Sequence, residues 1–520
     1  MKRLILILIV IGIMTNAYSQ STLLWSKDFT AGLNNYYSEY PVIQTIADTI
    51  KVVGRINTAS GQGLGIIKYD LSGNIISTKI YGDDLASNNS VIDYKFDATS
   101  HVYILQKEKL GFYKSKIVLQ KYSLDGDLIW IQQIQNPADT SYTPHSLGLI
   151  NDTCIFFTAY KEYNYPEPGD DVIETITLPY LFAFSSDGGQ LWQRVFNTDT
   201  EISWFPLGIF VHNNTAYLFG MNNSSLFHRF LLKIDINNDL TIINTELERG
   251  IKNVQLTLDN NLLVTQGPDY RITKTNLLGA VLWTSHYETN NSSDEIKSTI
   301  QDADGNIYIT GRHYETNTNA DILTIKYDSN GNLIWENRYE YGGNNADIGN
   351  TIELKNGQVY VGGQSQRIGA GGDYDYVVLK IDDESGNTTG IYRYNGLANG
   401  NDVVTSLKVF DNGNVALTGL SYINSQYDWT TQLLSDVILS IPNISLKSEL
   451  KVYPNPTCGE LKIESGELRI EDIVIYDVFG KIQKIEKLKN AIDISHLSTG
   501  IYFVKIRTEA GEVVKKVLKE

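Results

Sequence analysis

IKSTIQDADGNIYITGRHYETNTNADILTIKYDSNGNLIWENRYEY, residues 296–341, holds four short β-rich runs punctuated by Gly, Asn and Asp. Ile, Thr and Tyr in period-two alternation predict strands, because branched and aromatic side chains pack well on a pleated surface. DADGN (302–306) and DSNGN (328–332) predict tight hairpin turns, since Asn and Gly accept the positive φ that such turns need. The unit reads as a four-stranded antiparallel meander.

The order then repeats as IELKNGQVYVGG, DYDYVVLKIDDESGN and GIYRYN. Third-strand anchors fall at Asp70, Ser123, Ser185, Asp235, Asn276, Asp328, Asp382 and Ser435. Their steps are mostly about fifty residues, in the range of propeller blades. Fourth strands are expected at 75–81, 128–134, 191–196, 240–245, 281–287, 333–339 and 390–394. The eighth unit, from Val403, lacks one. TLLWSKDF (22–29) matches NLIWENRY (332–339), so the first mature strand is expected to complete the last blade and remove the open edges. The expectation is an all-β chain with an eight-bladed β-propeller over residues 20–435, seven blades being the alternative.

These units resemble the bacterial β-propeller repeat of exported proteins. The likeness is good over 296–435, fair in the first two units and weak between 154 and 287. It implies a scaffold and no activity. YDSNGNLIW is also similar to the tryptophan-docking repeat of quinone-dependent dehydrogenases, where a Trp docks into the neighbouring blade. Trp130, Trp192, Trp283 and Trp335 suit that packing role, but the adjacent cysteine pair and acidic metal cluster of many such enzymes are not identifiable. No cofactor is expected.

Composition agrees with a β-protein: 42% apolar residues over 520, with 33 Tyr, 42 Gly and 3 Met. A net charge of −17 repels phosphate backbones and argues against nucleic acid. Cys154 and Cys458 fall in different expected domains, with no CxxC or metal-ligand spacing. Lys2 and Arg3, the apolar run 4–14 and Ala17-Tyr18-Ser19 read as a signal peptide over 1–19, with Gln20 the new N-terminus. That run is too short to span a bilayer comfortably, and no later segment is apolar enough.

After Ser435 the period breaks. Residues 436–448 read as a linker, and 449–520 as short alternating strands of a small Ig-like β-sandwich. The latter closely resembles the type A C-terminal sorting domain of the type IX secretion system. The matching residues are Tyr453, Pro454, Asn455, Pro456 and Gly459, then Asp477, Gly480 and Lys481 in IYDVFGK, then Gly500 and Tyr502 in LSTGIYFVKI, and the basic close at Lys515, Lys516 and Lys519. The resemblance implies a Bacteroidota-like source, passage through the periplasm and outer membrane by the type IX machinery, removal of this domain, and release or surface attachment.

Catalytic motifs are missing. The seven histidines show no metal-ligand spacing, and neither HExxH nor GxSxG occurs. DADGN and DSNGN fail the calcium-loop pattern, since Gly falls fourth rather than sixth and the strand resumes at once. In a four-stranded blade the second-to-third and fourth-to-first connections emerge on one face. The long connections 160–171, 312–321, 364–375 and 421–428 therefore share a face, and such loops are where binding tends to reside. They carry Tyr160, Tyr163, Tyr165, Tyr314, Tyr422 and Tyr427, suited to stacking on sugars. Asp321, Asp375 and Asp428 read as turn caps. A binding or adhesion module with a glycan or surface ligand is expected. The alternative is a polysaccharide hydrolase or lyase with carboxylates converging from several blades.

Overall fold

The computed structural model describes residues 23–33, 41–46, 48–58, 61–82, 89–110, 114–123, 125–134, 141–150, 154–166, 173–195, 204–213, 215–222, 229–235, 240–243, 250–267, 270–287, 294–314, 319–341, 345–367, 372–396, 399–423, 426–435, 451–464, 470–477, 482–487, 491–508 and 511–520. Every α-helix or strand assigned within them is a strand, and no helix among them is long and apolar enough to cross a membrane. The signal peptide, the linker 436–448, Gly480 and Lys481 lie outside the described residues. The chain divides into two compact units, 23–436 and a C-terminal one ending at Glu520.

The first unit is an all-β, propeller-like array of four-stranded antiparallel sheets. In chain order they cover 42–81 (sheet 1), 89–134 (sheet 2), 141–195 (sheet 3), 204–243 (sheet 4), 250–286 (sheet 5), 295–339 (sheet 6), 347–394 (sheet 7) and 402–434 (sheet 8). Sheets 1 and 2 are also joined by one parallel pair, Gly61 with Asn89. Each sheet packs on the next through a shared apolar seam, and sheet 8 packs on sheet 1. First strands adjoin one another between sheets 2 and 3, 3 and 4, 4 and 5, 6 and 7, 7 and 8, and 8 and 1.

Closure occurs where the sequence places it. Leu23–Leu33 pairs antiparallel with Gln426–Leu434 as the fourth strand of sheet 8, with Trp25 opposite Leu433 and Phe29 opposite Trp429. Thr430 donates to Asp28 at 2.6 Å, and the Ala31 amide donates to Asp428 at 3.1 Å.

Two repeated devices explain the pattern of the sequence. In the third-to-fourth hairpins an Asp caps its own turn. Asp328 Oδ1 accepts the amides of Asn330 (2.9 Å) and Asn332 (2.8 Å), and Oδ2 accepts Asn332 Nδ2 (2.8 Å). Asp70 makes the same bonds with Ser72 and Asn74. The carboxylates are consumed by their turns, which is why DSNGN is hairpin chemistry.

The second device is docking of the fourth-strand Trp on the next sheet's hairpin. Trp25, Trp130, Trp283 and Trp335 donate their indole N–H groups to the carbonyls of Leu71 (2.9 Å), Ser186 (3.0 Å), Ser329 (3.2 Å) and Asp383 (2.8 Å). The ring covers the turn glycine. At Gly331, φ is +84° and a Cβ would sit 2.7 Å from the Trp283 ring, so both backbone and space demand glycine. Trp25, on the closing strand, docks like the others.

A third device is invisible in the alternation. The first strands of sheets 2 to 8 each carry a β-bulge at a corresponding place, between Val91 and Asp93 in sheet 2 and between Val404 and Ser406 in sheet 8. Polar residues just past the bulge reach the neighbouring first strand. Asp93 accepts the Leu147 amide at 2.8 Å, Ser146 that of Ile209 at 3.3 Å, and Ser406 that of Ile43 at 3.1 Å. An extra residue twists the strand and re-aims the next side chain. Here that side chain satisfies a backbone donor which no inner partner could reach.

In the C-terminal unit, a three-stranded sheet and a four-stranded sheet enclose one core, including Leu461, Ile463, Ile475, Ile492, Val504 and Val517. Alternation along Gly500–Thr508 puts Tyr502, Val504 and Ile506 inside and leaves Ile501 and Phe503 exposed.

Candidate functional site

Strand direction sorts the ends of each sheet. First strands run toward the hairpin turns, so the beginnings of first and third strands and the ends of second and fourth strands lie together at the crossover end. All six candidate tyrosines belong there.

The connections that carry them are shorter than expected. Cys154–Pro166 and Ile173–Ser185 are paired strands over nearly their whole length, so Tyr160, Tyr163 and Tyr165 sit on an extended hairpin and not in a loop. Their alternation with Lys, Glu and Asn satisfies the strand period, which outweighs the turn signal of Pro and Gly beyond. Arg312–Tyr314, Gln364–Gln366 and Ser421–Ile423 likewise extend second strands.

Tyr160 packs edge-on against Phe205 at 5.9 Å. The side chains of Tyr163 and Tyr165 are outside the described residues. Tyr314 lies 5.8 Å from the Arg312 guanidinium, and its amide donates to Asp294 at 2.7 Å. Among the candidate tyrosines whose side chains are described, Tyr422 and Tyr427 are brought together, with ring centroids 5.0 Å apart and tilted by 57°. Tyr427 is buried while Tyr422 is 38% exposed. Beside them, Arg367 donates to the Asn399 backbone oxygen, and Asn395 donates to the Asn399 side chain at 2.8 Å. The Tyr422 amide donates to Asn401 at 3.0 Å, and its Cβ lies against Gly400. Gln426 donates to Asp428 at 3.0 Å. The result is an aromatic platform edged by amide and guanidinium groups at the seam of sheets 7 and 8.

Asp321, Asp375 and Asp428 are not turn caps. They lie inside third strands, buried, opposite His313, Ser365 and Ser421. The turn they would cap is displaced by continued pairing. Asp375 is held by Arg393 at 3.1 Å and Arg367 at 3.4 Å. Burial, with Glu340 and Asp347 nearby, pushes the Asp321 carboxyl up to about 6.

The sequence reading missed the polar groups at the starts of first strands. Asp347 accepts the Tyr341 amide at 2.8 Å and Asp402 that of Gly396 at 2.6 Å, pinning the crossover from the preceding fourth strand. Burial raises both carboxyls to about 6. Asp294, just before its first strand, contacts His313 Nδ1 at 2.9 Å. The recurring Asp in SSDEI, NADIG and GNDVV was the available signal. A carboxylate only accepts, so Nδ1 carries the hydrogen in this contact. His313 and Asp294 are nonetheless buried, 5% and 3% exposed, which closes them to a polymeric substrate. Among the described residues no group of three or more His, Cys, Asp or Glu is arranged to hold a metal ion.

In the C-terminal unit two of the sorting residues, Asn455 and Tyr502, hold turns in place. Asn455 accepts the Leu518 amide at 2.9 Å and donates to the Lys516 carbonyl at 2.9 Å, tying the YPNP turn to the last strand. Tyr502 donates to the Ser498 carbonyl at 2.9 Å, locking the turn before its own strand.

Residues 451–520 match the secretion system C-terminal sorting domain. No curated protein matches the chain. Among solved structures, virginiamycin B lyase from Staphylococcus aureus overlaps at 14% identity and TM-score 0.39, covering 65% of this chain and 95% of that one. The polysaccharide lyase Uly1 overlaps at 8% identity and TM-score 0.37, covering 82% and 94%. Dihydro-heme d1 dehydrogenase NirN overlaps at 10% identity and TM-score 0.42, covering 92% and 78%. Overlaps this loose carry no inference about activity.

Proposed function

We propose that this chain, whose C-terminal segment is a secretion system sorting domain and which is therefore exported by the type IX system to the cell surface or medium, acts there as a glycan-binding or adhesion module. The reading rests on the Tyr422–Tyr427 platform. Tyrosine presents an apolar face and a polar tip, which suits sugar rings and their hydroxyls, and the neighbouring Asn399, Arg367 and Gln426 supply polar groups at its edge. Rigid strands hold the platform, so little ordering cost opposes binding.

A glycan-array screen of the exported protein tests this. The wild type should bind a defined set of glycans, and Tyr422→Ala should weaken that binding at least tenfold while leaving the melting temperature unchanged. A wild type that binds none, or a Tyr422→Ala variant that binds as well, defeats the reading.

The domain plan belongs to the same proposal: a signal peptide over 1–19, the propeller over 20–435, a linker over 436–448 and a removable sorting domain over 449–520. Intact-mass measurement of the extracellular form should find it shortened at both ends. Removing 449–520 should leave folded protein in the periplasm.

The hydrolase or lyase reading draws on the Asp294–His313 pair and the raised carboxyls of Asp321 and Asp347. Their burial favours the binding reading. Release of new sugar ends from any polysaccharide, lost in His313→Gln, would reverse that preference.

A further inference from the structure

Beside the aromatic platform, at the seam of sheets 7 and 8, stands a cation whose charge is already taken. Residues 399–402 tie the two together. The Asn399 backbone oxygen accepts Arg367 Nη2. A Cβ on Gly400 would lie 2.8 Å from that of Tyr422, and the Asn401 backbone oxygen accepts the Tyr422 amide at 3.0 Å. The Asn401 side chain accepts the Tyr374 amide at 3.0 Å, so this segment is held from both sheets.

Arg367 is held between carboxylates. Its Nη2 donates to Asp373 Oδ2 at 3.1 Å as well as to Asn399, which uses both Nη2 hydrogens. Nε lies 3.4 Å from Asp375 Oδ1, while Asp375 Oδ2 pairs with Arg393 at 3.1 Å. Nη1 makes a long contact of 3.5 Å with the Asn399 side chain. Asp402 and Asp428 bring two further carboxylates to the same seam, one accepting the Gly396 amide and the other Gln426. Four carboxylates thus share the seam with two guanidiniums, in a chain whose net charge is already −17. The groups that face solvent are of another kind. Tyr422, Asn395 and Asn399 are exposed, whereas Asp375, Asp402 and Asp428 are buried. Side-chain amides both donate and accept, which matches sugar hydroxyls.

We infer that the platform takes uncharged glycans and rejects those bearing uronate, sialate or sulfate, with Asp373 as the residue that sets this preference. The inference rests on the glycan-binding reading and narrows it. Recognition of an acidic sugar calls for a free guanidinium, which forms paired, charge-assisted hydrogen bonds to carboxylate or sulfate. Arg367 is the guanidinium at the platform's edge, and Asp373 occupies hydrogens it would otherwise offer. The surplus of carboxylates around it repels a second anion, and burial shields that repulsion from salt. The Asp373 side chain is 39% exposed, so it can be changed without opening the core.

An array that sets neutral glycans beside their uronate, sialylated and sulfated counterparts tests this on the exported protein. Neutral members should bind at least tenfold more tightly than their acidic counterparts. Asp373→Asn frees Arg367 Nη2 and should narrow that gap at least fivefold, with neutral affinity within twofold and the melting temperature unchanged. Asp373→Ala should behave alike, which keeps the test decisive if one variant folds poorly. Acidic members binding the wild type as tightly as neutral ones would overturn the inference and leave the glycan reading standing. A gap that stays the same in both variants would equally overturn the role of Asp373. Binding to no glycan at all would defeat the underlying reading, and this one with it.

Discussion

The seam between sheets 2 and 3 and the seam between sheets 6 and 7 join the same architectural elements with different chemistry. The first is aromatic. On the face of sheet 3 that packs against Tyr103, Leu105 and Leu119 of sheet 2, Phe157 stacks on Phe182 at 4.8 Å and 15°, and Tyr142 meets Tyr180 edge-on at 5.5 Å. The second is polar around its apolar centre. The Tyr308 hydroxyl lies between Asp302 (2.9 Å) and Asp383 (2.6 Å), and Lys326 reaches Asp383 at 2.8 Å. At its crossover end Arg393 joins Tyr339 (3.1 Å) to Asp375 (3.1 Å). The aromatic seam relies chiefly on ring packing, with single polar links such as Lys107 to Thr143 at 2.6 Å beside it. The polar seam gains directionality and also inherits buried carboxyls.

Truncation should separate the two most strongly. Phe157→Ala removes a fully buried ring from a stack and should cost about 3–5 kcal/mol in urea unfolding. A cost under about 1 kcal/mol would mean that the aromatic seam collapses around the gap, and the contrast would fail.

Glycine substitutions isolate the docking device from backbone strain. Gly331 and Gly357 both have positive φ, +84° and +69°, but only Gly331 has a Trp ring above it. Gly357→Ala should cost about 1 kcal/mol and Gly331→Ala about 2–3 kcal/mol, both read from thermal melts. Equal costs would remove any role for Trp283 docking.

The polar half should also respond to pH. Asp321, Asp347 and Asp402 have folded-state values raised from 3.8 to about 6, so the folded protein binds protons more tightly than the unfolded chain. Stability from these groups is fully present below about pH 4 and is lost as pH rises through 6. Asp347→Asn should therefore raise the melting temperature at pH 8, by the equivalent of about 1–2 kcal/mol, and much less at pH 5. The hairpin carboxylates pull the other way at lower pH. Asn74 and the turn amides hold Asp70 below its ordinary value, so its contribution fades as pH falls toward 3. A melting temperature that rose steadily from pH 5 to 8 would refute the buried-carboxyl account. The smallest expected effect is Tyr422→Ala on stability, within about 0.5 kcal/mol, since its ring is part-exposed.

The turns made the fold legible. DADGN, DSNGN and the NLIW-type strands announce where each hairpin closes, and the expected fourth strands 75–81, 128–134 and 333–339 coincide with Ile75–Tyr81, Leu128–Ile134 and Leu333–Tyr339. The likeness is weak between 154 and 287, across sheets 3 to 5, where the third-to-fourth turns read SSDGGQ, DINNDL and NLLGA in place of DSNGN. The candidate site was harder to read. Tyrosine in a strand looks the same whether it packs a seam, as Tyr376 does, or half-faces solvent, as Tyr422 does. The buried aspartates were mistaken for caps because local sequence carries the turn preference of Asp but not the neighbouring sheet that covers it. The inner bulges left no mark, since a single inserted residue only shifts the phase of alternation.

Closing sheet 8 with Leu23–Leu33 has a consequence for the order of events in the chain's life. Thr430 and Asp28 are 402 residues apart, so the first strand made can pair only after almost the whole ring has been synthesised. Each doubling of such a span adds only about 0.6 kcal/mol of entropy, so the wait is not thermodynamically prohibitive. Its weight is kinetic, because contacts of high sequence separation form slowly. Until then sheet 8 keeps a bare edge and sheet 1 lacks the cover of Trp25, a state open to strand exchange. The N-terminal strand thus acts as a completion signal, withholding the finished ring from any chain that stops short of its last blade.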